Sequence, residues 1–180
     1  MERRMFLTLA TAAAALATGT DEALAAPAAA EAGGLDWLRA DHVSIHVTDF
    51  EGAMTWYTDK LGFKPEVVWR VAALDGKRLV YLSKGGFWIE IVQAAPVSSG
   101  LPPVESFPEH FARTGYGHIC FATAEIDAVL ADLERRGVPA FVRAQTYPLD
   151  GTTFERRVAF VKDPEGNVIE FAGPLVRRAG

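Results

Sequence analysis

Two histidines and two glutamates recur at matched places in this 180-residue chain, and together they form a donor set suited to a divalent metal ion. The first copy reads His42-Val43-Ser44-Ile45-His46-Val47, then Leu61-Gly62-Phe63, then Phe87-Trp88-Ile89-Glu90-Ile91. The second reads His118-Ile119-Cys120-Phe121-Ala122-Thr123, then Arg136-Gly137-Val138, then Asn167-Val168-Ile169-Glu170-Phe171. The offsets are 76 residues between the histidines, 75 between the glycines and 80 between the glutamates, an order that argues for a duplicated structural module. Two imidazoles with two carboxylates favour one borderline ion, Zn, Ni, Co, Fe or Mn, over calcium.

The elements that must position these groups can be read from periodicity. Residues 42–47 alternate Val43, Ile45 and Val47 with His42, Ser44 and His46, the period of a strand. Asp49 caps a helix through Lys60, with Ala53, Trp56, Tyr57 and Leu61 at helical spacing and Gly62 to end it. Strands follow at 67–72, 78–82 and 87–92, with turns at Asp75-Gly76 and Lys84-Gly85-Gly86. The second half repeats the order: a strand at 117–123, a helix at 126–136, and strands at 140–145, 156–162 and 167–172, the last two joined by Asp163-Pro164-Glu165-Gly166.

Each half is therefore β-α-β-β-β. The expected fold is α+β: two such modules forming a curved, incompletely closed mixed sheet with the helices outside, so that the uncovered faces make a cup. In the closing strands Trp88, Glu90, Val92 and Val168, Glu170, Ala172 lie opposite the helix side. All four ligand candidates, His42, Glu90, His118 and Glu170, are thus expected in one concavity. A cation is one of the few partners that repays a glutamate buried in an apolar strand. His46, about 13 Å along an ideal strand from His42, is too far to share the ion and is expected to meet substrate at the rim. Trp88 and Cys120 complete the expected substrate wall. His110 sits beside Phe107 and Phe111 in the proline-punctuated connection 94–114 and reads as a surface-loop residue, with a lid over the mouth as the alternative.

The first 25 residues belong to another purpose. Arg3-Arg4-Met5-Phe6-Leu7, an Ala/Leu/Thr stretch to about Gly19 and Ala23-Leu24-Ala25 have the order of a twin-arginine export signal with a small-x-small cleavage site. The apolar stretch is shorter than the roughly 20 residues of a membrane span. The expectation is a periplasmic or secreted protein with no stable span after cleavage. Cleavage would take two of the 18 basic and three of the 23 acidic residues, leaving a net charge of −4, the wrong sign for a nucleic-acid partner. Residues 26–36 read as a disordered alanine-rich tether, 37–174 as a single domain (modules 38–96 and 115–174, connection 97–114) and 175–180 as a tail. Cys120 is the sole cysteine, so no internal disulfide is possible.

Residues 38–174 resemble the vicinal oxygen chelate superfamily, which contains glyoxalase I, methylmalonyl-CoA epimerase, extradiol dioxygenases and the bleomycin- and fosfomycin-resistance proteins. The resemblance rests on His42 with Val47-x-Asp49, Trp56-Tyr57 before Leu61-Gly62-Phe63, Gly117-His118, and Asp163-Pro164-x-Gly166-Asn167-x-Ile169-Glu170 taken in order. It implies metal ligands from the first and last strand of each half, here His42, Glu90, His118 and Glu170. It also implies a small substrate bound through two neighbouring oxygens, a metal-stabilised enediolate, and Glu170 or Glu90 as the base. Some relatives build the cup within one chain and others between two chains, so a homodimer is among the expectations. Glyoxalase I enzymes usually carry an arginine four residues after the first histidine and an asparagine four after the second ligand; here His46 and Ala94 stand there, which argues against a strict lactoylglutathione lyase.

Three functions fit the residues. The first is a metal-dependent, glyoxalase I-like lyase or isomerase acting on a 2-oxo, 2-hydroxy or dicarbonyl compound. The second is an Fe(II) extradiol-type dioxygenase using His42, His118 and Glu170, against which the additional Glu90 counts. The third is a drug-binding resistance protein without catalysis.

Overall fold

The computed structural model describes residues 39–94 and 104–178; the expected export signal at 1–25 and the tether at 26–36 lie outside them. The first module comprises β1 (His42–Val47), α1 (Phe50–Leu61), β2 (Lys64–Val71), β3 (Lys77–Lys84) and β4 (Phe87–Gln93). A short helix α2 (Phe107–Ala112) precedes the second, made of β5 (His118–Ala122), α3 (Ile126–Arg135), β6 (Ala140–Pro148), β7 (Phe154–Lys162) and β8 (Val168–Arg177). The sheets have the orders β1-β4-β3-β2 and β5-β8-β7-β6. In each the first and last strands pair in parallel and the others antiparallel, giving two open mixed sheets of the expected α+β kind.

Local chemistry sets the helix limits. Asp49 Oδ1 accepts from Gly52 N at 2.9 Å to start α1, and Gly62, at φ 71°, ends it in the left-handed conformation that other residues adopt only with strain. The helix sides of both sheets share one core, in which Val47, Ile89, Ile91 and Tyr57 of the first module join Ile126, Leu133, Val161 and Ile169 of the second. Phe63, Phe87, Phe121 and Phe171 stack edge-on or tilted across the junction. Removing this much aliphatic and aromatic surface from water, at about 25 cal/mol per Å², is the main force holding the modules together.

Polar ties fix their register. The Tyr57 hydroxyl donates to Asp163 Oδ2 at 2.9 Å, in a pair where Asp163 is only 5% exposed. Asp163 also accepts from Asn167 Nδ2 and from the backbone N–H groups of Glu165 and Asn167, so one carboxylate closes the β7–β8 turn and anchors α1. Burial raises its pKa against the pull of those donors, and burial together with Asp163 keeps the Tyr57 phenol a neutral donor. Glu165 Oε1 takes the Thr48 N–H and hydroxyl, both at 2.7 Å, and the Asp49 N–H at 3.2 Å.

The structure departs from expectation in two places. Strand β8 continues through Leu175, Val176 and Arg177, which pair with Arg156, Glu155 and Phe154, so the first half of the expected tail is sheet. The register shift between Arg156 and Val158 absorbs Pro174 without ending the ladder. The connection contributes α2, which packs onto the open face of the second sheet through Phe107 against Phe160 and Tyr147. The two modules contribute one four-stranded mixed sheet each, open and not closed, as expected.

Removing the Tyr57 hydroxyl strips one donor from a buried carboxylate. Tyr57→Phe should cost about 1–2 kcal/mol and Asp163→Ala about 3 kcal/mol or more, read as midpoint shifts in urea unfolding with unchanged slope.

Candidate metal centre

Parallel pairing of β1 with β4 sets Ser44 opposite Glu90 and His42 opposite Trp88, so His42 and Glu90 meet diagonally on the open face. His42 Nε2 lies 3.8 Å from Glu90 Oε2, and its other nitrogen, Nδ1, lies 2.6 Å from Asp41 Oδ2. The second module repeats the device: His118 Nε2 is 2.9 Å from Glu170 Oε2, and His118 Nδ1 is 3.1 Å from His110 Nε2. The Glu90 and Glu170 side chains are 16% and 14% exposed, covered enough to need a partner.

The four expected ligands therefore come together as two pairs, one on each sheet. Among the described residues no group of three or more His, Cys, Asp or Glu side chains converges, so within one chain the four candidates stand as two half-sites. The reason is the shared core, which joins the modules along their helix sides and leaves each open face to itself. Each pair still fits half of a metal centre: an imidazole Nε2 aimed at a carboxylate, with Nδ1 engaged from behind as in carboxylate–histidine–metal sites.

Around the first pair stands an aromatic wall that sequence reading found only in Trp88. Tyr81 packs edge-on to His42 with centroids 5.2 Å apart, against Trp69 at 4.7 Å and Trp88 at 6.0 Å. Tyr81 is the register partner of Glu90. Desolvation, then the carboxylates of Glu90 and Asp41, raises its phenol pKa, and the hydroxyl donates to Glu90. The alternation of β3 could have placed Tyr81 on this face, and Asp41 stood in plain view next to His42.

Around the second pair lie Phe160, whose ring centroid is 5.7 Å from that of His118, and the α2 residues His110 and Phe111. His110, expected in a surface loop, is 6% exposed. Burial, then the nearby charges of His118 and Arg113, lowers its pKa. The readable signal was Ser106-x-x-Glu109, a capping box starting a helix whose Phe107 and His110 turn inward; Glu109 N–H donates to Ser106 Oγ and Glu105 N–H to Glu109 Oε2. His46 is exposed on the His42 side of β1, consistent with a rim position.

Cys120 lies on the Glu170 face. Although the residue is exposed, desolvation of the thiol, then the neighbouring Glu170 carboxylate, pushes it up to about 11. A separate cleft of about 780 Å³ opens at the module junction between Phe63, Phe87, Phe121 and Arg136. Its cationic rim is engaged in joining helix ends, Lys60 Nζ donating to Arg136 O and Arg136 Nη1 to Asp59 O.

A family model described as Glyoxalase/Bleomycin resistance protein/Dioxygenase superfamily matches residues 39–171. Uncharacterized protein YaeR of Escherichia coli (strain K12) is 31% identical over 130 residues, covering 72% of this chain and 91% of that protein. Among solved structures, a glyoxalase family protein from Enterococcus faecalis matches with TM-score 0.58 at 23% identity, covering 74% of this chain and 96% of its own. The trypanothione-dependent glyoxalase I of Leishmania major matches with TM-score 0.53 at 26% identity, covering 76% and 86%.

A thiol raised first by desolvation and then by Glu170 should react slowly. Near pH 8 alkylation of Cys120 by iodoacetamide should fall well below that of an ordinary cysteine, whose thiolate fraction is on the order of 10²-fold larger. Glu170→Gln should speed it; an unchanged rate in that variant would separate the thiol from the carboxylate.

Proposed function

The chain belongs to the Glyoxalase/Bleomycin resistance protein/Dioxygenase superfamily, and on that premise we propose that it is a metal-dependent, glyoxalase I-like lyase or isomerase. The observation that carries this reading is the repeated pair: two imidazoles, each engaged at Nδ1 and each presenting Nε2 to a carboxylate on the neighbouring strand. His42, Glu90, His118 and Glu170 would hold one divalent ion of the Zn, Ni, Co, Fe or Mn kind. Since one chain offers them as two halves, a homodimer in which the first module of one chain faces the second module of another would supply the full set.

When bound, the ion supplies Lewis-acid polarisation of a substrate carbonyl. The chain does the rest. A 2-oxo, 2-hydroxy or 1,2-dicarbonyl compound would lie against Trp69, Tyr81 and Trp88 on one side and Cys120 and Phe160 on the other, with His46 at the rim. A carboxylate beside the substrate takes a proton from the carbon next to the carbonyl and returns it to the neighbouring atom. Glu170 is assigned this role ahead of Glu90 because the Tyr81 hydroxyl, a stronger donor than a thiol, faces Glu90, whereas the weak S–H donor of Cys120 faces Glu170. Such a proton shuttle consumes no oxygen and changes no oxidation state. His46 and Ala94, at places where glyoxalase I enzymes carry arginine and asparagine, favour a substrate other than a glutathione conjugate. Export by the twin-arginine route, with metal acquired before translocation, fits the same picture.

Elemental analysis after dialysis tests the site first: His118→Ala and Glu170→Ala should lose most of the metal and His46→Ala should keep it. Across a panel of 2-oxo, 2-hydroxy and 1,2-dicarbonyl compounds, turnover should persist under argon with zinc in place of iron. Glu170→Gln should lower kcat by about 10²-fold, the scale of a positioned base. Turnover that stops without oxygen and returns only with Fe(II) would make the protein a dioxygenase. Tight ligand binding with neither metal nor turnover would make it a sequestering protein.

A further inference from the structure

The open face of the second sheet carries an arginine that no carboxylate answers. Along β7, Arg156, Val158, Phe160 and Lys162 share the side that meets His118, while Arg157 turns to the helix side and donates to Asp127 Oδ1 at 2.6 Å. Lys162 is already committed: its Nζ donates to the Val104 carbonyl and lies 4.2 Å from the Phe141 ring centroid. Arg156 is half-buried, and among the described residues no carboxylate forms an ion pair with it, whereas Arg78, Arg113, Arg143 and Arg157 each have one.

The backbone fixes where this guanidinium stands. Strand pairing jumps from Val158 opposite Ala172 to Arg156 opposite Leu175, which leaves Gly173 and Pro174 out of the ladder. The Gly173 carbonyl is thereby open to a side chain, and Arg156 Nε donates to it at 2.9 Å. A guanidinium anchored at Nε keeps Nη1 and Nη2 as a two-pronged donor, the shape that grips a carboxylate. Gly173 lies three residues beyond Glu170 on β8, about 10 Å along the strand. Beside that stretch are Cys120, the register partner of Glu170, and the pair Ala122 and Ala172, which present only methyl groups. The Arg156 charge reaches the Cys120 thiol, where it opposes the effect of Glu170.

We propose that Arg156 is a specificity-determining residue that receives a carboxylate of the substrate at a distance from the atoms that meet Glu170. The substrate class narrows accordingly to a 2-oxo, 2-hydroxy or 1,2-dicarbonyl compound with a carboxylate a few carbons further along, lying over Cys120 and the two alanines. The reacting end of this statement rests on the proposed function; the anion site does not.

Binding and turnover are therefore read separately. Butyrate and its neutral isostere butyramide are titrated into dialysed, ¹⁵N-labelled protein and followed by amide NMR. Butyrate should bind about 10-fold more tightly, the scale of a charge-assisted pair, with shifts centred on Arg156, Gly173 and Cys120. Arg156→Gln, which retains a donor for the Gly173 carbonyl, should abolish the preference. Arg156→Lys, a charge without the fork, should keep part of it, and Arg157→Gln, on the helix side, all of it. In turnover, compounds with a distal carboxylate, such as 4,5-dioxopentanoate, should exceed their amides in kcat/KM by about 10-fold, and Arg156→Gln should remove the difference through KM. Equal binding of butyrate and butyramide, or a preference that survives in Arg156→Gln, overturns the inference. A wild type that prefers butyrate yet turns over no compound of the panel overturns only the enzyme reading. Turnover that ignores the distal carboxylate overturns only the inference.

Discussion

A carboxylate placed in the middle of an apolar strand dictates much of what surrounds it. Glu90 and Glu170 sit between helix-facing isoleucines and a phenylalanine, and each is covered by its sheet. Leaving either charge without a partner would cost more than a typical hydrogen bond returns. Parallel pairing of the first and last strands brings an imidazole alongside in both modules, and Asp41 and His110 then hold the imidazoles in turn. The chain of dependence runs from strand order to side-chain pair to the groups behind it.

The second constraint is what the core leaves over. Joining the modules through α1, α3 and the phenylalanines of the junction consumes the helix-facing sides of both sheets. The ligand-bearing sides stay open, each with half a donor set and half a wall: Trp69, Tyr81 and Trp88 on one, Phe160 with α2 on the other. A two-fold symmetric pair of chains would bring the two kinds of half together, as the proposed site requires.

Much of this was legible in the chain because strands announce themselves by period. The alternation in residues 42–47 and the paired glutamates placed His42, Glu90, His118 and Glu170 on the correct faces, and Asp49 and Gly62 marked the limits of α1. What failed to read through had nonlocal causes. No spacing rule says whether two open faces converge, because that is decided by packing at the far side of the molecule. Gly173-Pro174 carries the local signature of an end, yet Phe154 and Glu155 supply partners that extend β8 to Arg177. His110 looked like a loop residue because its burial comes from Phe160 and Tyr147, which cover α2 from 50 and 37 residues away in sequence.

The central claim is that a complete site takes one half from each of two chains. It is tested most directly by mixing two disabled chains, one with His42→Ala and Glu90→Ala, the other with His118→Ala and Glu170→Ala, and measuring metal in the purified heterodimer. Neither chain alone should hold a stoichiometric ion. The heterodimer should regain one ion per pair, because it contains one site with all four ligands and one with none. A heterodimer as empty as its parents would contradict the account.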